Sequence, residues 1–215
     1  MKTIAVAAQK GGGGKTSIAV HLATAATLAG YDAAIIDLDP QQSAASWGDD
    51  RGDNPPEVIS GQAKRLEKLL TEAEAVGFDL IVIDTGPAAD AAARRSAELA
   101  DLVLIPCRPA TFDLKAIRTT LDLVESTRTP AWVVVNAAPH RSRAVDEAIA
   151  VARGLGANVA PVIICHRAAF THAVIGGQTA QEFEPGGMAA KEIAALWDWA
   201  RKTLPLPPKP VAKTD

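Results

Sequence analysis

The stretch that most constrains this chain is Gln9-Lys10-Gly11-Gly12-Gly13-Gly14-Lys15-Thr16-Ser17, set between the apolar run Ile4 to Ala8 and the apolar-periodic segment Ile18 to Ala23. Such flanks place it where a buried strand turns into a helix. Successive glycines let the backbone take positive φ and turn several N–H groups toward an anion, and the following helix aims its positive dipole end at the same point. Lys15 adds a point charge for the β- and γ-phosphates of a nucleotide, and Thr16 offers a hydroxyl to its magnesium ion. Gly11, Gly12, Gly13, Gly14, Lys15, Thr16 and Ser17 therefore read as a phosphate-binding loop. A flexible linker would lack both the strand and the Lys-Thr junction. The loop departs from the strict pattern G-x-x-x-x-G-K-[ST] in two ways: Gln9 stands where a glycine is usual, and a second lysine, Lys10, lies inside it.

With 215 residues, 48% of them hydrophobic, the chain can bury one substantial core, and a single domain is expected. The formal net charge of −3 argues against a constitutive high-affinity nucleic-acid binder. Any such contact must use a local patch. Cys107 and Cys165 lie far apart inside apolar runs and no Cys-x-x-Cys occurs, so both read as small core residues of a reducing compartment. The N-terminal apolar run is too short for a signal peptide, and no segment approaches a membrane span. The expected location is the cytoplasm.

Apolar, β-rich runs recur at Thr3 to Ala8, Ala33 to Asp37, Leu80 to Asp84, Leu102 to Cys107, Trp132 to Asn136 and Val159 to Cys165, with a short edge strand at Glu57 to Ile59. Helical segments alternate with them, among them Ala63 to Val76 and Lys115 to Thr127. Because the strands are apolar at nearly every residue, both sheet faces should be covered. The expected fold is α/β, a mostly parallel twisted sheet with helices on both faces. Residues 1–204 form the domain and 205–215 a Pro/Lys-rich tail that begins where Pro205, Pro207 and Pro208 stop the last helix.

Asp37 and Asp39 lie at the carboxyl end of the second strand, where parallel sheets place their ligands. Alternation in an extended segment puts them on one side. Two carboxylates there suit magnesium and an attacking water, or one of them caps the helix starting near Gln42. Leu80-Ile81-Val82-Ile83-Asp84 ends a buried-type strand in a carboxylate, the Walker B arrangement that holds magnesium through its water shell. Thr85-Gly86-Pro87 behind it lies near the γ-phosphate or is an ordinary turn.

Four marks together, Lys10 to Thr16, Asp37-Leu38-Asp39-Pro40-Gln41, Ile83-Asp84-Thr85, and Ala100 to Pro106 with Pro109, run across nearly the whole chain. On them the chain resembles the ParA/MinD family of deviant Walker ATPases, P-loop NTPases, and most of all small ParA-type partition proteins without an added N-terminal DNA-binding domain. The resemblance implies ATP and Mg²⁺ as cofactors, a slow ATPase, and an ATP-bound homodimer in which Lys10 reaches the partner subunit's phosphates. It implies that Lys10, Lys15 and Asp39 are catalytic, with Asp39 orienting the water, that Thr16, Asp37 and Asp84 serve the metal, and that Asn136 reads the adenine edge. Asn136 is alternatively a turn residue before Ala137-Ala138-Pro139. Relatives often carry an apolar residue at the position of Gly13.

Partition-type relatives bind DNA non-specifically as ATP dimers, release it when a ParB-like or adaptor protein stimulates hydrolysis, and so move cargo over the nucleoid. Arg141, Arg143, Arg167, Lys191, Arg201 and Lys202 are the candidate phosphate contacts here, against the alternative of scattered solubilising charge. A membrane-cycling relative would need a C-terminal amphipathic helix with a basic face. The stripe Ile193, Leu196, Trp197 and Ala200 reads instead as core, so no membrane partner is expected. A small-molecule kinase or ligase would have no use for Lys10, and strand-bound cysteines disfavour an iron-sulfur cluster. A module that only docks partners is disfavoured by Asp39 beside Asp84.

Overall fold

The computed structural model describes residues 1–87, 90–109, 111–140, 142–206 and 209, without the side chains of 90 and 111–116. Strands β1 (Lys2–Val6), β2 (Ala33–Asp37), β3 (Glu57–Ser60), β4 (Leu80–Asp84), β5 (Leu102–Cys107), β6 (Ala131–Ala138) and β7 (Asn158–Cys165) form one sheet in the order β3-β2-β4-β1-β5-β6-β7. Every neighbouring pair is parallel. The sheet expected to be mostly parallel is thus parallel throughout, because each return to the same sheet edge is made by a crossover rather than a hairpin.

The crossovers are α1 (Lys15–Leu28), α2 (Ser43–Arg51), α3 (Leu66–Val76, after a 3₁₀ turn at Ala63–Arg65), α4 (Asp90–Leu99), α5 (Thr111–Glu125) and α6 (Arg143–Gly154); α7 (Ala168–Val174), α8 (Ala180–Phe183) and α9 (Met188–Thr203) follow the last strand. Side chains alternate across each strand, so one sequence serves two cores. Ile4, Val6, Ile35, Val82 and Leu104 pack with Leu22 of α1 and Leu196 of α9 on one face. Ala5, Ile36, Ile83 and Ile105 pack with Leu70 of α3, Ala97 of α4 and Ile117 of α5 on the other. Each fully buried Ile or Leu contributes about 2 kcal/mol of transfer free energy. The α9 stripe Ile193, Leu196, Trp197 and Ala200 is buried, as core, with Trp197 edge-on to Tyr31 at 5.3 Å. Of the tail expected at 205–215, Leu206 packs on this core and Lys209 pairs with Asp79 over the Tyr31 ring; residues 207, 208 and 210–215 lie outside the described residues.

The turn between α7 and α8 ties two helices together. From α2, Trp47 Nε1–H donates to the Gln178 carbonyl at 3.1 Å, and the buried Arg51 guanidinium donates to the Gly177 carbonyl at 2.9 Å and pairs with Glu182 at 2.5 Å. From α1, the wholly buried His21 has Nδ1 2.7 Å from the Ser17 carbonyl, while Nε2 accepts the Ala180 N–H at 3.0 Å. A ring that accepts at Nε2 carries its proton on Nδ1 and is neutral. Burial holds its pKa down at about 4. In the unfolded chain His21 protonates near pH 6.5, so its neutral form stabilises the fold above that pH and this contribution is lost as pH falls toward 4. The gap in unfolding free energy between wild type and His21→Gln is therefore expected to widen by about 3 kcal/mol from pH 4 to pH 6.5, measured by urea unfolding. A gap independent of pH would show that His21 is not buried neutral.

Candidate nucleotide site

The sheet order places β2, β4 and β1 side by side, so the ends that carry the three sequence marks become neighbours. Val6 and Asp37 are both in register with Asp84. Past Val6 the chain turns through the glycines, with φ of 77° at Gly12 and 92° at Gly14, and enters α1. Gly14 is the N-cap residue and offers no side-chain cap, and the first turn holds no acidic residue. The N–H groups and positive end of this helix are thereby left for an anion. The φ of 92° at Gly14 suits glycine, and any Cβ there would also stand 2.1 Å from the Asn136 side-chain Nδ2.

Inside this arc Lys15 is buried. Burial lowers the pKa of its ammonium, and the charges of Asp84 and Asp39 oppose that shift. Thr16 Oγ1 donates to Asp84 Oδ2 at 2.6 Å, and Asp84 Oδ1, also buried, has no hydrogen-bond partner among the described residues. Burial raises the Asp84 carboxyl to about 7, against the Thr16 hydrogen bond and with the charges of Asp37 and Asp39 adding to the rise. A hydroxyl and an unsatisfied carboxylate oxygen are the hard donors that magnesium takes, directly or through water. Among the described residues no three His, Cys, Asp or Glu side chains could hold a metal by themselves. Magnesium fits here as the companion of a phosphate chain, which would supply further oxygens.

The extended alternation expected through Asp37 and Asp39 stops at Asp37. Its Oδ1 accepts the Asp39 N–H at 2.9 Å and bends the chain, and its Oδ2 accepts the Ala45 N–H at 3.0 Å in the first turn of α2. Asp37 thus performs the capping that sequence left open between the two residues. Asp39 accepts the Gln41 N–H through Oδ1 at 2.9 Å and lies against Gly86, where a Cβ would come within 3.1 Å of that oxygen. In the Thr85-Gly86-Pro87 turn, read in sequence as near the γ-phosphate or as an ordinary turn, Thr85 Oγ1 donates to the Val6 carbonyl at 3.0 Å and joins the ends of β4 and β1.

A groove of about 400 Å³ leads away from Gly14, Thr16 and Ser17 along the ends of β6 and β7, past Asn136, Ala137, His166 and Phe170. Asn136 lies within β6 rather than in a turn, and its Nδ2 donates to the Gly13 carbonyl at 2.9 Å. It braces the loop as well as lining the groove. Cys107 is buried as expected, but Cys165 is only half-buried, at the groove wall. Arg108 also lines this groove and was not among the residues singled out by sequence; a basic residue two positions past Pro106 was the available signal.

The basic residues proposed for DNA differ in their surroundings. Lys191 and Lys202 are exposed at opposite ends of α9, about 16 Å apart along its axis, and Arg143 is exposed at the start of α6. Arg167 is held by Glu192 at 2.6 Å and Arg201 by Asp198 at 3.4 Å. Arg141 lies outside the described residues. Lys10 is exposed on the loop beside Gly13 and Pro106.

Comparison with known proteins agrees with this geometry. The family model described as the CobQ/CobB/MinD/ParA nucleotide binding domain matches residues 4–180. A Maintenance of carboxysome distribution protein A from Halothiobacillus neapolitanus is 28% identical over 200 residues, covering 88% of this chain and 91% of that protein. Another of that name from Gloeobacter kilaueensis is 38% identical over 121 residues, and this match spans 56% of the chain and only 55% of the relative. Among solved structures, the septum site-determining protein MinD of Pyrococcus horikoshii, complexed with Mg-ADP, superposes with a TM-score of 0.78 at 15% identity over 94% of this chain and 96% of that one. The family model alone spans most of the chain, from β1 through the turn that clamps α1 and α2, and this protein belongs to the CobQ/CobB/MinD/ParA nucleotide-binding family.

Proposed function

We propose that this chain is an ATPase that closes into a homodimer around Mg-ATP, holds DNA non-specifically in that state, and positions an intracellular cargo with a ParB-like or adaptor activator. The observation that carries the reading is the joint placement of Asp39 and the Thr16–Asp84 pair around the uncapped N-terminus of α1. The loop N–H groups and Lys15 bind the phosphates, Asn136 braces the loop and faces the base, Thr16 and Asp84 hold the metal, and Asp37 supports that region through its bonds to the Asp39 and Ala45 N–H groups. Magnesium, bound with ATP, supplies charge neutralisation on the phosphates. Asp39 orients water for in-line attack on the γ-phosphorus; the bridging P–O bond to the β-phosphate breaks, and ADP and phosphate result. Lys10 contacts the phosphates of the partner subunit.

DNA binding would rest on Arg143, Arg167, Lys191, Arg201 and Lys202, with Arg141, doubled in the dimer. Two of these are engaged with carboxylates, so affinity is expected in the weak range of roughly 10⁻⁴–10⁻⁶ M, falling steeply with salt. The reading places the protein in the cytoplasm at the nucleoid. Among the described residues no helix is long and apolar enough to cross a membrane.

Two measurements test it. Sizing in ATP and magnesium is expected to give a dimer for wild type and a monomer for Lys10→Ala, with nucleotide still bound by the variant. A Lys10→Ala dimer as stable as wild type would remove the shared-site reading. Retention of the ATP-bound protein on duplex DNA and on anionic liposomes at matched salt then separates partition from membrane cycling; retention on liposomes alone would overturn the DNA reading.

A further inference from the structure

We propose that Arg108 reads the base edge of the bound nucleotide and makes the groove accept guanine as well as adenine. This inference rests on the nucleotide reading of the same site. Arg108 follows the end of β5 and lines the groove with Gly14, Asn136, Ala137 and His166, at the strand ends past which the groove runs from the phosphate loop.

Besides the hydroxyls of Thr16, Ser17, Ser43 and Thr171, the groove holds few groups that can present two parallel N–H donors. Asn136 has spent one amide N–H on the Gly13 carbonyl at 2.9 Å, which leaves its carbonyl oxygen as an acceptor and a single N–H as a donor. Arg167 donates through Nε and Nη2 to Glu192 at 3.1 and 2.6 Å. Arg108 is exposed and makes no ion pair among the described residues. An acceptor such as the Asn136 oxygen suits the N6 amino group of adenine. A guanidinium presents two parallel N–H donors, the match for O6 and N7 of guanine, whereas His166 can present only one at a time. For adenine the same guanidinium reaches N7 alone. The pair Asn136 and Arg108 therefore offers each purine a partner, and guanine depends on Arg108 more than adenine does.

Arg108 also borders the crevice beside Lys10 and Gly13, so a contact with the phosphates is the competing role. Charge and shape separate the two. A lysine keeps the charge but loses the planar fork. Titration of fluorescent ATP and GTP analogues in magnesium, with wild type, Arg108→Gln and Arg108→Lys, gives the answer. Wild type is expected to bind GTP within about tenfold of ATP, and both variants to lose roughly tenfold or more for GTP with less than threefold for ATP. Wild type that binds ATP but not GTP overturns the proposal. So does equal weakening of both nucleotides, or recovery of GTP affinity in Arg108→Lys. If neither nucleotide binds wild type, the nucleotide reading itself fails and this inference falls with it.

Discussion

Replacing Asp84 by asparagine is expected to make the nucleotide-free protein more stable while cutting magnesium-dependent nucleotide affinity by roughly tenfold or more. The carboxylate is fully buried, and one of its oxygens has no partner among the described residues. Its pKa is raised to about 7 in the fold, chiefly by burial. In the unfolded chain it ionises near pH 4, so the contribution of Asp84 is favourable below that pH and is lost as pH rises toward 7. Asparagine removes the ionisation. The variant should match wild type near pH 4 and exceed it by ~2–4 kcal/mol at pH 7 in urea unfolding. Added ATP and magnesium should narrow or reverse that gap, since only the carboxylate can serve the metal. A variant less stable than wild type at pH 7 would mean that Asp84 is not held at a cost to the free protein. The His21 and Asp84 slopes have opposite sign between pH 4 and 6.5, so the wild-type profile there is flatter than either group alone would make it.

Asp39→Ala is expected to lower ATP turnover by roughly 10²-fold or more while leaving nucleotide binding and the ATP-dependent dimer in place. Unlike Asp37, which gives both oxygens to backbone N–H groups, Asp39 is tied to backbone through Oδ1 alone among the described residues. Asp39→Asn keeps the packing against Gly86 and the acceptor for the Gln41 N–H, so it isolates charge from shape. Both variants should fail in single-turnover phosphate release. If Asp39→Ala instead weakens ATP binding as much as turnover, the residue serves the ground state and another group must direct the water.

The strands were legible because their apolar runs are unbroken: Leu80–Asp84 and Leu102–Cys107 carry the same bounds in sequence and structure. The phosphate loop was legible for a similar reason, since glycine, lysine and threonine are adjacent in the chain and need no long-range information. What sequence could not resolve were contacts made across strands. Whether Asp37 or Asp39 caps α2 depends on where the chain bends after β2, and the bend is set by a side chain folding back on its own backbone. The brace from Asn136 to Gly13 joins residues far apart in the chain, as does the hydrogen bond of His21 to Ala180. Neither leaves a periodic trace. Arg108 escaped because an isolated basic residue after a strand resembles any solvated charge until the groove beside it is known.

The order β3-β2-β4-β1-β5-β6-β7 has a consequence for how the protein is made. β1 is made before the other strands of this sheet, yet its sheet neighbours are β4 and β5, and β2, the next strand made, is not paired with it. Until Leu80–Asp84 has emerged, β1 has no strand to pair with and Thr16 lacks its carboxylate. Long-range parallel pairing of this kind forms slowly and leaves apolar strands exposed while it waits. The glycine loop is thus made well before the strand that completes it, so a nascent chain halted before β4 would be a client for chaperones rather than a holder of nucleotide.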